Sequence, residues 1–372
     1  MNLKDLENIE SCFNSFYQSQ IKGRWIQLKD ILPLIENLNS DFKINKIGSS
    51  YQKKDIYRIS IGSGKIKVLI WSQMHGNEST GTKAIFDLFS FFESSNGFVD
   101  IKDSILKNCT LFFIPMLNPD GAEKYTRVNA LNIDLNRDVI DQKATESAVL
   151  QKMLKKINPK YCFNLHDQRT IFSIGKKNNP ATISFLAPSE DEKRSITVGR
   201  IETMKIIISI NNYLQKFIPN QIGRYTDEFY PTATGDNFQK MGHNTILIES
   251  GHYQDDYQRE KTRKYTFLSL LLGLYSISTS SDTHNFKDYF NIPNNKENYL
   301  DIIIKDVTYK NKKVDLGILF KEKLENSKLL FIPEIEKIEN LNLFNANLVL
   351  HNSRLKFNKK KDVDAWVKNE FI

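Results

Sequence analysis

The feature that most constrains the fold is a series of short, nearly continuous apolar runs of strand length. They are Lys67–Ser72, Thr110–Met116, Tyr161–Leu165, Ile183–Leu186 and Thr245–Ile248. Strands that are apolar on both faces lie inside a sheet that helices cover on each side. The segments between them have the apolar spacing of helices, as in Gly81–Phe92, Lys143–Ile157, Glu192–Phe217 and Thr262–Ile277. The pattern predicts an α/β fold, a three-layer α/β/α domain with a mixed central sheet.

The two ends of the chain have a different character. Apolar spacing predicts helices over Leu3–Gln20 and Leu28–Leu38. After about Asp282 the sequence turns to short β-like runs: Asp301–Tyr309, Lys313–Phe320, Leu329–Ile332 and Ala346–Phe357, with a turn signal at Lys310–Lys312. We therefore divide the chain into a helical segment (1–44) packed on a main domain (45–284), followed by a small β-rich C-terminal domain (285–372).

Composition narrows the choice of partners and compartment. The 372 residues are 40% hydrophobic and carry a net charge of +8, with 52 basic against 44 acidic residues. The basic residues alternate with acidic ones, which gives no support to a nucleic-acid partner. Three cysteines form no CxxC pair, and the chain begins without an apolar leader. We expect a cytoplasmic protein without a membrane partner, although a leader already removed would leave no trace.

Polar clusters follow four of the apolar runs directly. The clusters are His75-Gly76-Asn77-Glu78, Asn118-Pro119-Asp120-Gly121 (with Arg127 and Asp134-Leu135-Asn136-Arg137 after it), His166-Asp167-Gln168, and Glu249-Ser250-Gly251-His252. Ligands of open α/β sheets bind outside the carboxyl ends of the strands. The four clusters should therefore meet at one edge of the sheet and form a single site.

A metal centre is the first chemistry that this pattern suggests. His75 and Glu78 are three residues apart, so one turn can direct both at one ion. A catalytic zinc takes three protein ligands, and two histidines with one glutamate are a known set. Without His166 at the end of another strand, a histidine in a surface loop would explain the motif. The chain lacks HExxH, which excludes the helical zincin arrangement.

The remaining clusters each have a structural alternative. A carboxylate at Glu249, closing an apolar strand, is costly unless it faces water or a cation, and an ion pair would also satisfy it. Asn118-Pro-Asp-Gly121 is in the first place a turn. Asn136 and Arg137 could bind a carboxylate, because an arginine offers two parallel donors, but Arg137 could equally serve a structural salt bridge.

Taken together, the motifs resemble a known family. His75-x-x-Glu78, Asn118-Pro-Asp-Gly121, Arg127-x-Asn129, Asp134-Leu-Asn-Arg137, His166 and Glu249 have the order and spacing of the zinc metallocarboxypeptidases of the carboxypeptidase A-like (peptidase M14) type. The resemblance covers roughly residues 45–280. It departs from the family in a short stretch between Gly121 and Asp134 and in the added C-terminal domain.

The resemblance implies the machinery around the metal. His75, Glu78 and His166 would hold one Zn²⁺ per chain. Asp134 would orient the first histidine, as carboxylates beside metal-bound histidines commonly do. Glu249 would be the general base.

The resemblance also implies the groups that hold the substrate. Arg127 would polarise the scissile carbonyl and stabilise the oxyanion. Asn136 and Arg137 would grip the terminal carboxylate, with Arg137 buried around it. Tyr230 matches the family's mobile tyrosine best by position, and Tyr225 is the other candidate.

The implied function is that of a zinc-dependent metallocarboxypeptidase, which hydrolyses the C-terminal amide bond of peptides through a zinc-activated water. His-Gly-Asn-Glu also occurs in the aspartoacylase and succinylglutamate desuccinylase group, so an N-acyl amino acid deacylase is the alternative. In either case the substrate, a peptide or an N-acyl amino acid, bears a free carboxylate. A non-catalytic binding module is the third hypothesis. Residues 285–372 are expected to contribute nothing to the site.

Overall fold

The computed structural model describes residues 3–95, 97–175, 179–279 and 284–371. The helices are α1 (Leu3–Ser11), α2 (Leu28–Glu36), α3 (Thr80–Glu93), α4 (Val99–Asn108), α5 (Pro119–Lys124), α6 (Thr145–Ile157), α7 (Val198–Leu214), α8 (Thr234–Lys240), α9 (Glu260–Thr279) and α10 (Lys360–Phe371). Short 3₁₀ turns occur at Phe13–Ser15, Leu135–Arg137 and Phe286–Asn291.

The strands fall into one large sheet and two small ones. They are β1 (Lys43–Ser49), β2 (Asp55–Ile61), β3 (Ile66–Trp71), β4 (Cys109–Ile114), β5 (Tyr161–Asp167), β6 (Phe172–Ile174), β7 (Asn179–Pro180), β8 (Ile183–Leu186), β9 (Ile222–Arg224), β10 (Asn244–Ser250), β11 (Lys296–Glu297), β12 (Tyr299–Tyr309), β13 (Lys312–Glu325), β14 (Lys328–Glu339), β15 (Asn345–His351) and β16 (Lys356–Phe357).

The large sheet is mixed, as predicted. Its eight strands run in the order β1-β2-β4-β3-β5-β10-β8-β9. The four central strands β4, β3, β5 and β10 are parallel, whereas β2 pairs antiparallel with β1 and β4, and β8 pairs antiparallel with β10 but parallel with β9. The carboxyl ends of the parallel strands therefore point to one edge, where the polar clusters were expected to meet.

Alternate residues of β3 show that helices cover both faces of this sheet. Val68 and Ile70 pack in a core that α3, α7 and α9 also supply. Leu69 and Trp71 pack in a second core with α6 and α8. Because β3 is buried on both faces, it is apolar at every position from Val68 to Trp71, and this explains why the central strands appear as nearly continuous apolar runs. The prediction of three α/β/α layers is confirmed.

The first helix is shorter than predicted, because buried charges claim the backbone that follows it. The pattern placed the end of the helix at Gln20, yet α1 ends well before. The Gln18 N–H donates to Asp87 Oδ1 at 2.8 Å, and Arg263 donates to the carbonyl oxygens of Gln18 and Ile21 at 2.9 and 2.7 Å. A helix through this stretch would need those same groups for its own ladder.

Several elements were missing from the sequence prediction. They are β1, β2, β9, the small sheet β11-β6-β7, and the helices α4 and α10. The first half of β1 is exposed, so its residues form no apolar run. In α10 only Val363 and Val367 are buried. Elements that pack on one side or at an edge give a weaker pattern than the buried centre of the sheet.

The β-rich C-terminal part is present and has its own core. Its sheet runs β14-β13-β12-β15, with β16 also paired to β12. Lys310 and Asn311 form the expected turn between β12 and β13, with positive φ values of 48° and 61° that suit a two-residue hairpin loop. None of the helices in the described part of the chain has the length and apolar character needed to span a bilayer.

The join between the main domain and the C-terminal part lies later than the sequence suggested. Residues 280–283, where the change of character was seen, lie outside the described residues. Tyr289 and Ile292 are buried in the main core, although both lie beyond residue 285. The Tyr289 hydroxyl accepts a hydrogen bond from the Ala187 N–H at 3.0 Å. Residues 286–292 therefore pack as part of the main domain.

Candidate active site

Three strand ends bring the site together. His75 lies in the loop between β3 and α3, His166 is near the end of β5, and Glu249 is near the end of β10. Because β5 and β10 are parallel neighbours in register, Glu249 stands directly beside His166. The convergence expected from the sequence is present in the structure.

His75, Glu78 and His166 form a compact cluster of ligand atoms. His75 Nδ1 lies 2.9 Å from Glu78 Oε1, His166 Nδ1 lies 2.8 Å from Glu78 Oε2, and the two Nδ1 atoms are 3.1 Å apart. All three side chains are buried, and no other such cluster of metal-ligating groups occurs among the described residues.

The donor set fits a zinc ion. Two imidazole nitrogens and one carboxylate converge, which matches a known catalytic zinc set that leaves a fourth position open. The two Nδ1 atoms lie 3.1 Å apart and each faces a Glu78 oxygen, so the three groups converge on one point where a cation could accept all of their lone pairs. His166, Glu78 and His75 are therefore the residues that would hold the metal.

Asp134 and Arg127 support this cluster from the side. Asp134 Oδ1 lies 3.0 Å from His75 Nε2, and its other oxygen accepts from Arg127 Nε at 3.0 Å. Burial alone would raise the pKa of Asp134, but the hydrogen bond from His75 and the nearby positive charges hold it well below its usual range. Arg127 also reaches Glu78 Oε1 at 3.3 Å through Nη1. An anionic Asp134 keeps the Nε2 proton of His75 in place and frees Nδ1 for a metal.

Glu249 lies in an environment that resists a negative charge. Burial raises the pKa of the Glu249 carboxyl well above its ordinary value, and the charges of Glu78 and Asp167 add to the effect. Arg127 and the buried Arg259 oppose it. A cation held by the neighbouring cluster would act in the same direction as the arginines. Such a carboxyl can both take and return a proton.

The site opens into a single cavity of about 750 Å³. All the residues predicted for the site except Asp134 line it, namely His75, Glu78, Arg127, Asn136, Arg137, His166, Tyr225, Tyr230 and Glu249. The proposed metal ligands, the proposed base and the proposed carboxylate grip thus line the same cavity.

Arg137 is more open than the sequence suggested. Its side chain is exposed rather than buried, and its guanidinium lies 5.4 Å from the ring centroid of Tyr230. Tyr230 itself is 45% exposed. Asn136 is half-buried, and its side-chain oxygen accepts from the Thr234 N–H at 3.2 Å. Asn136 is therefore fixed in place, whereas the guanidinium of Arg137 donates to the Asn136 carbonyl oxygen at 3.0 Å and lies over the Tyr230 ring.

Both tyrosine candidates line the cavity, in different surroundings. Tyr230 accompanies Arg137, and its backbone N–H donates to the buried Asp236 at 3.2 Å. Tyr225 packs edge-on against Phe172, with ring centroids 5.3 Å apart. Burial raises the pKa of Tyr225, and the charge of Glu249 adds to this. Tyr230 is placed near the carboxylate grip and Tyr225 near the proposed base.

Two of the quoted motif residues have structural roles. Asn118 caps α5, because its side-chain oxygen accepts from the Gly121 N–H at 2.9 Å. Asn129 is buried and bridges to Glu146 at 3.0 Å. His252, which also follows the last strand, faces Asn347 at 3.1 Å and does not line the cavity.

Arg259 was not identified from the sequence. It is buried and donates to the carbonyl oxygens of Ser250 and, at 2.8 Å, Gln168. Those carbonyls lie just beyond Glu249 and His166, so Arg259 ties the ends of β10 and β5 together. No spacing rule connects an arginine at this position to the two strands.

The C-terminal part also lines the cavity, although the sequence predicted no contribution from it. The residues are Glu297, Asp301 and the stretch Leu319–Glu322 of β13. Arg24, which precedes α2, lines the cavity as well and pairs with Glu322. These contacts join segments 298 positions apart in the chain, beyond the reach of any local pattern.

Comparison with known proteins gives zinc carboxypeptidases as relatives, a family that the cluster of possible zinc ligands fits. The family model for zinc carboxypeptidases matches residues 29–288. A probable carboxypeptidase 2 of Trichophyton verrucosum is 24% identical over 118 residues, which are 32% of this chain and 21% of that protein. Carboxypeptidase SOL1 of Arabidopsis thaliana is 36% identical over 69 residues, or 18% of this chain and 14% of that one. The match thus spans about a fifth or less of the length of these curated relatives.

Solved structures share the fold at low identity. The bovine thrombin-activatable fibrinolysis inhibitor, in complex with tick carboxypeptidase inhibitor, aligns with a TM-score of 0.54 and 13% identity, over 69% of this chain and 98% of that one. A metallo-carboxypeptidase from Burkholderia cenocepacia aligns with a TM-score of 0.53 and 14% identity, over 68% of each chain. Because the family model matches more than half of the chain, the chain belongs to the zinc carboxypeptidase family.

Proposed function

We propose that this protein is a zinc-dependent metallocarboxypeptidase that holds one Zn²⁺ through His75, Glu78 and His166 and removes the last residue of peptides. The observation that carries the proposal is the position of Glu249. It stands beside His166 in register and shares one cavity with the ligand cluster and with Asn136 and Arg137. Ligands, base and carboxylate grip are thus within one substrate's length.

The chemistry divides among these groups. A bound Zn²⁺ acts as a Lewis acid and lowers the pKa of a coordinated water towards about 7. Glu249 takes a proton from the attacking water and passes it to the leaving amine, so that the amine departs neutral. Its raised pKa suits the second half of this task, because the protonated carboxyl must survive until the C–N bond breaks.

Arg127 is the donor for the developing oxyanion. Its Nη1 already reaches Glu78 and its Nε is anchored on Asp134, so the guanidinium is held beside the ligand cluster. The side chain is 48% exposed to the cavity. Donors of this kind contribute about 3–4 kcal/mol to the stabilisation of a tetrahedral transition state.

Asn136 and Arg137 place the substrate's end. They lie on the 3₁₀ turn that Asp134 caps by accepting from the Asn136 N–H at 2.9 Å. The same aspartate orients His75, so the carboxylate grip and the metal ligand share one support. This arrangement favours cleavage of the last amide before a free carboxylate.

The deacylase alternative rests on the motif His-Gly-Asn-Glu at residues 75–78. Packing explains why this motif contains a glycine. A Cβ atom at Gly76 would lie 2.0 Å from the carbonyl carbon of Gly121. No side chain fits there, so glycine is required wherever these two loops cross. Gly76 therefore reports the contact between two backbone segments and gives no preference between peptides and N-acyl amino acids.

The test is a comparison of Glu249→Gln with Glu228→Gln in zinc-loaded protein. Both carboxylates line the cavity, but only Glu249 stands beside a ligand. We expect Glu249→Gln to keep a full equivalent of zinc and to lose a hundredfold or more in kcat on a free-acid peptide, whereas Glu228→Gln remains active. Near-normal turnover by Glu249→Gln would assign the base elsewhere. Hydrolysis of N-acyl amino acids but of no peptide would favour the deacylase.

A further inference from the structure

The stretch Leu319–Glu322 of β13 forms part of the wall of the cavity that contains the ligand cluster. We call it the β13 wall. Leu319 is buried in the core of the C-terminal part, Phe320 and Glu322 are half-buried, and Lys321 is exposed. A segment outside the matched range 29–288 therefore faces the reaction site.

The β13 wall is fastened to the loop that carries the metal ligands. Glu322 accepts from Arg24 with one oxygen and from the Tyr125 hydroxyl with the other. The carbonyl oxygen of Arg24 in turn accepts from Ser79 Oγ at 2.6 Å. Ser79 directly follows the ligand Glu78. Only 8% of Arg24 is exposed, and a buried, charge-assisted bridge of this kind fixes position.

A second attachment involves Asp301 of β12. One of its oxygens accepts from the Phe320 N–H at 2.7 Å, and the other accepts from the Tyr257 hydroxyl at 2.9 Å. The ring of Phe320 packs edge-on against Tyr257, with centroids 5.2 Å apart. The β13 wall is thus held at Phe320 as well as at Glu322, and Lys321 lies between these two points.

Lys321 carries the wall's free charge. Within the part of the chain that the structure describes, its ammonium has no hydrogen-bond or ion-pair partner, whereas the charge of Glu322 is matched by Arg24. Acidic residues on the cavity rim come from other elements. Glu297 belongs to β11, and its charge helps to raise the pKa of Tyr225. Glu228 lies in the loop that follows β9. With Glu322 paired to Arg24, the one charge of the β13 wall that is unpaired among the described residues is the positive charge of Lys321.

The proposed function indicates which part of a substrate would contact the β13 wall. If Asn136 and Arg137 hold the terminal residue, the rest of the peptide must leave over lining residues that serve neither the metal nor the carboxylate. We propose that the β13 wall contacts the substrate residues on the N-terminal side of the scissile bond, and that Lys321 favours an acidic side chain there.

The test measures a preference rather than an activity. Two free-acid peptides that differ only in Glu or Lys as the residue before the scissile bond are compared with wild type, Lys321→Glu and Lys323→Glu. Lys323 is the matched control, because it lies on the same strand, is paired with Glu325 at 2.5 Å and does not line the cavity. Wild type should favour the Glu peptide in kcat/KM. Lys321→Glu should shift the ratio about tenfold towards the Lys peptide, and Lys323→Glu should leave it unchanged.

Two further measurements make the outcome decisive. In 1 M NaCl the Debye length falls to about 3 Å, so the preference should shrink towards unity. The same peptides are also titrated into zinc-loaded Glu249→Gln, with and without Lys321→Glu, to give a Kd ratio that needs no turnover. Peptides that bind with the expected ratio but are never cleaved by wild type would contradict the proposed function and keep this inference. A ratio that Lys321→Glu does not move would overturn the inference, whether or not the peptides are cleaved.

Discussion

His75 is constrained at both of its ring nitrogens. Asp134 holds Nε2 at 3.0 Å, while Nδ1 faces Glu78 and His166. A carboxylate on one nitrogen fixes the proton there and leaves the lone pair of the other for a metal. The orientation of a single ring thus depends on a residue 59 positions later in the chain.

Removing this support should weaken zinc binding without abolishing it. We expect Asp134→Ala to lower zinc affinity by about 10- to 100-fold, the usual effect of losing such a partner. His166→Ala should lose the metal altogether. Equilibrium dialysis against a competing chelator, with metal analysis, measures both. Retention of a full zinc equivalent by His166→Ala would disprove the ligand assignment.

The exposure of Arg137 changes the expected size of its effect. A buried guanidinium left without its carboxylate would cost several kcal/mol, whereas an exposed one keeps water around it. Amidating a peptide's C-terminus should therefore lower kcat/KM strongly instead of removing all cleavage. Arg137→Ala should lower kcat/KM on the free-acid peptide and narrow the gap to the amide, with zinc retained. Equal cleavage of acid and amide by wild type would mean that Arg137 has only a structural role.

At this scale the sequence identified residues that belong to motifs and missed those that act across the fold. Spacing located His75, Glu78 and the position of Glu249, because each follows a strand whose end is visible as the end of an apolar run. Arg24 and Arg259 have no such context. Their partners lie on other segments, and only the folded chain places them together.

Among the elements, the ends of β5 and β10 matter most, since they carry a proposed metal ligand and the proposed base. Their register sets Glu249 beside His166. Just beyond the paired residues the Gln168 N–H still donates to the Ser250 carbonyl oxygen at 2.9 Å, and Arg259 reinforces this junction by donating to the carbonyl oxygens of Gln168 and Ser250. Burial lowers the pKa of this arginine, and the nearby charge of Asp167 partly compensates.

Arg259→Met should therefore affect both stability and the site. The buried Gln168 carbonyl oxygen loses its donor, at about 1–3 kcal/mol, while that of Ser250 keeps the Gln168 N–H, and Glu249 loses a neighbouring positive charge. We expect a lower free energy of unfolding in denaturant titrations and a lower kcat. Arg169→Met is the control, because Arg169 is an exposed residue of the same cavity. A variant as stable as wild type would show that the bridge is dispensable.

Central strands were predictable and peripheral ones were not, for one physical reason. Strands buried on both faces are almost entirely apolar, as in Val68–Trp71 within β3. An edge strand such as β1 leaves much of its surface exposed to solvent, so its sequence resembles that of a loop. The same holds for α10, which buries only two of its residues, Val363 and Val367.

For the whole molecule, we propose that the C-terminal part is a separately cored unit that begins near Tyr299 and completes the cavity. Its core draws on β12, β13 and α10. A chain that ends near residue 284 would lose Tyr289 and Ile292 from the main core as well as the β13 wall. We therefore expect the truncated protein to be much less stable than the full chain, although the sequence placed a domain boundary at this point. Its Tm in the zinc-loaded state should be lower than that of the full chain. An unchanged Tm would contradict this view of the join.

Asp301 makes the attachment of this unit sensitive to pH. Burial is the main cause that raises the pKa of its carboxyl from 3.8 to about 6, while the hydrogen bonds from Phe320 and Tyr257 oppose the rise. The folded protein therefore keeps a proton at pH 5 that the unfolded chain has lost. Wherever the folded state binds more protons, the free energy of unfolding falls as pH rises. This contribution to stability is complete below about pH 4 and is lost as pH passes 6.

Asp301→Asn removes that titration while keeping groups that can pair with Phe320 and Tyr257. The free energy of unfolding of the variant, minus that of wild type, should therefore rise between pH 4 and pH 7, by about 3 kcal/mol at most for a shift of this size. Other titrating groups and zinc are common to both proteins and cancel in the difference. Denaturant titrations at each pH measure it, with Asp41→Asn as the control whose difference stays flat, because Asp41 is exposed and its carboxylate pairs with no described residue. A flat difference for Asp301→Asn as well would mean that its carboxyl is ionised throughout this range, and the pH response would then have to arise elsewhere.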